Sequence, residues 1–166
     1  GVVELQSNLV IEDNFAQLKL TNGLLTSADP SSFNPFFSNI ATGWSGGNDD
    51  SYIACPALAS GFSVLMVPVG DDGVFAPAGI SNASVMAPYR ISYHHSDPNI
   101  AFGTSVTSPI DHIAQCEHWT ITADTGTPTA KIHLSYDTDR CGAIDVPAEL
   151  VVSAWNSGLS TWESTG

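Results

Sequence analysis

Basic residues are nearly missing from this chain. Four Lys and Arg stand against 17 Asp and Glu over 166 residues, a formal net charge of −13. Such a surface has almost nothing with which to neutralise phosphate, so nucleic acid and anionic lipid are poor partners for it. Charge of either sign is also thin, at 13% of residues, and Ser, Thr, Asn and Gly supply most of the remaining polarity. That balance is common in exported β-proteins.

Long apolar runs are missing too. The longest is FSVLMVPV at 62–69, which suits a buried strand and is far too short to cross a bilayer. Residues 1–15 have neither a basic start nor an apolar core, so no signal peptide is read there. The chain is thus expected to be cytosolic, or a mature or excised piece of an exported protein. No stretch repeats apolar residues at helical spacing. At most Ala114–Trp119 is expected to form one turn of helix.

Metal motifs are lacking: neither H-E-x-x-H nor C-x-x-C occurs. His94 and His95 are adjacent, so on a strand they point to opposite faces and do not share one metal. The default for these and for His112, His118 and His133 is a structural or surface role. Carboxylates gather at Asp49-Asp50, at Asp71-Asp72 and at Asp137 with Asp139. Calcium needs several oxygens converging from a loop, and Asp71, Asp72, Asp137 and Asp139 are the candidates for a structural calcium. The competing reading is that Asp simply makes a good turn.

What is present is β-pattern. Apolar residues alternate through Val3, Leu5, Leu9, Ile11, Leu18 and Leu20, and Asn22-Gly23 marks a tight turn. These short strands about ten residues apart suit the rungs of a strand-repeat solenoid or a meander. Residues 27–51 are rich in Ser, Asn, Gly, Pro and Asp, yet carry Phe33, Phe36, Phe37 and Trp44. Strands are expected again at 52–55, 62–69, 89–95, 119–123, 130–136 and 150–155, with Gly-Asp-Asp-Gly at 70–73 as a hairpin turn. In 130–136, Ile132, Leu134 and Tyr136 share one face, and Lys131, His133 and Ser135 the other. The expected fold class is all-β, a β-sandwich over 46–166 preceded by a short solenoid-like strand segment and aromatic-rich loop over 1–45.

GWSGG at 43–47 fits G-x-S-x-G, the nucleophile-elbow pattern. An elbow needs a strand before the Ser and a helix after it, and neither is read here. A trypsin-like order needs His and Asp ahead of the Ser, and no His precedes Ser45. Ser45 is read as a loop residue, and no catalytic residue is assigned. Among the aromatics, Trp119 and Trp155 fall on strands and are read as core. Trp44 and Trp162 are the candidates for exposure and for stacking on a ligand such as a sugar.

Three cysteines are present. Cys116 and Cys141 each adjoin an expected strand, and the segment between them can fold back as a hairpin. In an exported protein these two are expected to form a disulfide. Cys55 is left over, either as a small apolar core residue or as an intermolecular link.

One ordered set of motifs carries a resemblance. MVPVGDDGVFAPAGI (66–80), YHHSDPN (93–99), HIAQCEHWTI (112–121), AKIHLSYD (130–137), CGAI (141–144) and LVVSAWNSGLSTWESTG (150–166) follow one another. Together they resemble a β-sandwich module of large secreted, adhesin-like surface proteins of Bacteroidetes. GGNDDSYIACPAL (46–58) is similar to the strand that opens that module, and VELQSNLVI and LKLTNGLL are similar to strand repeats that precede it. The chain departs at Phe75 and His118, where tyrosine is usual. The resemblance implies secretion, often by the type IX system, a location outside the cell or on its surface, and no known catalytic residues. The sorting domain usual at the end of such proteins does not occur in these 166 residues, which implies an excised or processed part. The expected role is a non-enzymatic structural or adhesive module of an extracellular assembly. Its expected partners are neighbouring domains or copies of itself, without nucleic acid or membrane insertion. The alternative is a carbohydrate-binding module attached to a polysaccharide-degrading enzyme. No cofactor is expected apart from the structural calcium considered above.

Overall fold

The computed structural model describes residues 2–5, 24–27, 53–55, 64–67, 69–85, 87–137, 140–141 and 146–165. Among the described residues the chain is all-β apart from two short turns of helix. In order the elements are β1 (Val2–Leu5), β2 (Leu24–Ser27), β3 (Ile53–Cys55), β4 (Leu65–Val67), β5 (Gly70–Asp71), β6 (Val74–Phe75), β7 (Ala78–Ser81) and β8 (Tyr89–His94). Then come α1 (Pro98–Ala101), β9 (His118–Ala123), β10 (Lys131–Leu134), a 3-10 turn (Pro147–Glu149), β11 (Ser153–Asn156) and β12 (Thr161–Ser164). None of the described helices is long and apolar enough to cross a membrane.

The residues group into two compact units, one formed by 1–94 with 119–135 and one by 95–118 with 136–166. The first unit contains a five-stranded sheet of order β1-β2-β3-β8-β9 and a three-stranded sheet of order β10-β7-β4. Its core is built from both. On β8, Tyr89, Ile91 and Tyr93 alternate with polar residues and are buried, as is Ser92, while Arg90 is exposed. Trp119, Ile121 and Ala123 of β9 pack against the same cluster. So do Val67 of β4, Ala78 and Ile80 of β7, and Ile132 and Leu134 of β10. The indole of Trp119 sits 5.3 Å from the Tyr93 ring and donates its N–H to the Ala76 carbonyl at 2.9 Å, so its one polar atom is satisfied as it buries.

The N-terminal strands extend this sheet. β1 pairs with β2 in parallel, and β2 pairs with β3 in parallel. β3 then meets β8 antiparallel. One register row runs across all four: Val3 opposite Leu25, Leu25 opposite Ile53, Ile53 opposite Ile91. Both the Asn22-Gly23 turn and the expected boundary near residue 45 lie outside the described residues.

Turn chemistry explains the small hairpin. β5 and β6 pair with Gly70 opposite Phe75 and Asp71 opposite Val74, which leaves a two-residue loop. Asp72 and Gly73 both have positive φ, 51° and 79°. Two consecutive left-handed residues match the twist of a hairpin, and Asp-Gly is the pair that adopts them at least cost.

Three expectations are corrected. The strand at 130–136 is shortened to Lys131–Leu134: the Ser135 N–H still bonds to the in-register Pro77 carbonyl, but proline has no N–H to donate in return and the ladder ends there. Tyr136 is consequently 60% exposed instead of sharing the buried face. The strand expected at 150–155 starts only at Ser153, since the 3-10 turn holds the preceding chain and leaves Leu150 and Val151 exposed. Among the described residues the one α-helical turn is at Pro98–Ala101 and not at 114–119; Asp97 caps it by accepting from the Asn99 N–H at 2.8 Å, and Pro98 pre-sets the first φ.

Candidate functional site

The GWSGG turn, with Trp44 and Ser45, lies outside the described residues. The described residues hold two Ser–His contacts. Ser81 Oγ is 2.8 Å from His133 Nε2, linking β7 to β10, and Ser92 Oγ is 3.1 Å from His94 Nε2. His94 Nε2 also lies 3.0 Å from Thr120 Oγ1 on β9. A nucleophile–base pair has such distances, but its oxygen must also be reachable by a substrate. Ser81 and Ser92 are only 5% and 7% exposed; Ser81–His133 and His94–Thr120 each tie one strand to another, while Ser92–His94 lies within β8. These histidines therefore serve as cross-strand hydrogen-bonding groups. His118 Nδ1 faces the Ser96 carbonyl at 3.3 Å, and His112 pairs with its neighbour Asp111 on the surface.

The carboxylate candidates are dispersed. Asp71 lies on β5 and Asp72 in the turn that follows, while Asp137 is exposed and Asp139 lies outside the described residues. Among the described residues no three His, Cys, Asp or Glu side chains converge as ligands. Asp72 has a conformational role of its own, through its left-handed φ.

An aromatic cluster organises the second unit. β11 and β12 form a hairpin with Trp155 directly opposite Trp162. Their rings lie 5.5 Å apart at 64°, and Phe102, just past α1, packs on both at 5.9 and 5.6 Å. His118 meets the other side of Phe102 edge-on at 5.7 Å. Trp162 is 6% exposed and donates its indole N–H to the Gly103 carbonyl at 2.9 Å. Its backbone also pairs with Ser105 and Thr107. The expectation that Trp162 is exposed is thereby corrected: its ring is taken up by Phe102 and Trp155 and its polar atom by Gly103. The sequence signal for the helix before Phe102 was available in Asp97-Pro98, a cap followed by proline.

Cys116 and Cys141 form a disulfide, as expected. Their Cα atoms are 5.4 Å apart, inside the usual span of about 4.4–6.8 Å. The flanking residues reinforce it. Glu117 and Arg140 form an ion pair at 2.6 Å with side chains only 12% and 8% exposed. Opposite charges beside the two cysteines, Cys-Glu and Arg-Cys, were the overlooked sign of this second link. Cys55 stands on β3 in register with Tyr89. Tyr89 is 4% exposed, and its hydroxyl has no hydrogen-bond partner among the described residues. Burial pushes that phenol above its usual range.

Comparison of the chain with known protein families, curated proteins and solved structures finds no match.

Proposed function

We propose that this chain is a non-enzymatic structural or adhesive module of an extracellular or cell-surface assembly, of the kind its motifs resemble. On this reading the two core-sharing sheets make a β-sandwich, and β1 and β2 are solenoid-like rungs built onto one of them. The observation that carries the reading is the way the five-stranded sheet runs out. It passes from the core through two parallel strands to β1, at its edge among the described residues. An edge strand presents unpaired N–H and C=O groups, and strand addition is a common way for β-proteins to associate. The disulfide supports an oxidising compartment. The sugar-binding alternative rested on Trp44 and Trp162, and Trp162 is packed inward.

Light scattering with negative-stain microscopy, with and without reductant, tests the proposal. Ordered oligomers or fibres that disappear when residues 1–26 are deleted are expected. A monomer at all concentrations, or an oligomer unchanged by that deletion, overturns it. Loss of the assembly on reduction, reproduced by Cys55→Ser without reductant, would assign Cys55 a linking role.

A further inference from the structure

The register of β1 and β2 specifies more than a sheet edge among the described residues. Val2 lies opposite Leu24, so one circuit of chain from strand to stacked strand takes 22 residues. The pairing is parallel and in register over all four residues, Val2–Leu5 against Leu24–Ser27. A parallel neighbour requires a connection that returns the chain to the starting end of the sheet, and each circuit adds one strand. The row Val3–Leu25–Ile53–Ile91 places an aliphatic residue at the same register position on four successive strands, β1, β2, β3 and β8, ending at fully buried Ile91. The next position differs, with Glu4 opposite Thr26.

We propose that the outer edge of β1 is an acceptor for one further parallel strand, carried on a repeat of the same 22-residue spacing. The incoming strand places an aliphatic residue opposite Val3 and a neutral or basic residue opposite Glu4. A copy of β1 itself in that register is disfavoured, because it sets Glu against Glu4 in directly facing positions. The partner is thus a repeat of the β2 type, with a Thr-like residue at that place, and not a second identical edge. This goes beyond the assembly reading, which is tested by self-association of the chain and does not depend on this register.

The test appends one circuit to the complete chain. A duplicate of residues 2–23 is fused ahead of residue 2 in three versions. One has Thr at its copy of position 4, one keeps Glu there, and one has Thr there with Asp at its copy of position 3. Amide hydrogen exchange by NMR is read at those N–H groups of Val2–Leu5 that point away from β2. At least tenfold slower exchange is expected with the first version, a smaller effect with the second and none with the third. Equal exchange in the first version and the unextended chain overturns the proposal, as does equal slowing in all three. Light scattering on the unextended chain separates this outcome from that of the assembly reading, because an edge that accepts the repeat in a chain that stays monomeric sinks only the latter.

Discussion

Trp155 and Trp162 face each other across the β11–β12 hairpin with ring centroids 5.5 Å apart. The two positions are not equivalent. Trp162 is sealed and hydrogen-bonded to Gly103, whereas Trp155 is half-buried. Trp162→Ala should therefore cost about 3–5 kcal/mol of stability, the range for a large buried aromatic, and Trp155→Ala distinctly less. A double-mutant cycle should leave a coupling of about 0.5–1.5 kcal/mol for the ring pair. Urea denaturation followed by circular dichroism measures all three. Equal losses at the two positions would contradict the inward placement of Trp162.

The disulfide closes a loop across a sequence separation of 25. Replacing both partners, Cys116→Ser with Cys141→Ser, should lower stability by roughly 3 kcal/mol through the entropy returned to the unfolded chain. Cys55→Ser provides the comparison, and reductant should reproduce the double variant on the native protein but add nothing to it. A denaturation midpoint indifferent to reductant would show that the link does not constrain the unfolded chain.

How legible this was in the sequence differs from part to part. Tyr89–His94 and the start of β10 were visible because apolar and polar residues alternate there, and alternation is what a half-buried strand imposes. Ala78–Ser81 was not, because all four of its residues are buried and AGIS carries no alternation to detect. The Asp72-Gly73 hairpin was readable from local turn chemistry. Trp162 misled, because STWEST is polar on both sides and its burial is imposed from afar by Phe102 and Gly103. The Cys116–Cys141 pairing was readable from flanking strands. The Glu117–Arg140 pair beside it went unread because charged residues are normally solvated, and only tertiary packing shields these two.

Tyr89 offers a pH-dependent prediction. Its hydroxyl is buried with no described partner, and its pKa lies above the usual value. Below about pH 10, the ordinary phenol value, both folded and unfolded states hold the proton and stability is complete. Above it, the unfolded chain releases the proton while the folded one keeps it, so stability falls until the folded pKa is passed. Tyr89→Phe should remove this part of the alkaline slope. It should also stabilise the protein at neutral pH by about 1 kcal/mol, since a desolvated hydroxyl is deleted without losing a bond. Denaturation midpoints from pH 7 to 11 decide it. A loss of stability at pH 7 would mean that the hydroxyl has a partner.

Asp72 separates the two readings of the acidic turn. As a turn residue it needs only to tolerate φ of 51°, with Gly73 at 79° beside it. Asparagine tolerates that region as well as aspartate does, so Asp72→Asn should leave stability unchanged, with or without calcium. Gly73→Val should cost about 1–2 kcal/mol, because a β-branched side chain in the left-handed region meets the following carbonyl; the added Cβ itself has open space around it. A calcium site at Asp71 and Asp72 predicts the reverse pattern. Chelation would then lower the melting temperature of the native chain, and Asp72→Asn would abolish that response. Thermal melts of both variants, each with calcium and with chelator, distinguish a turn that owes its form to backbone geometry from one that owes it to an ion.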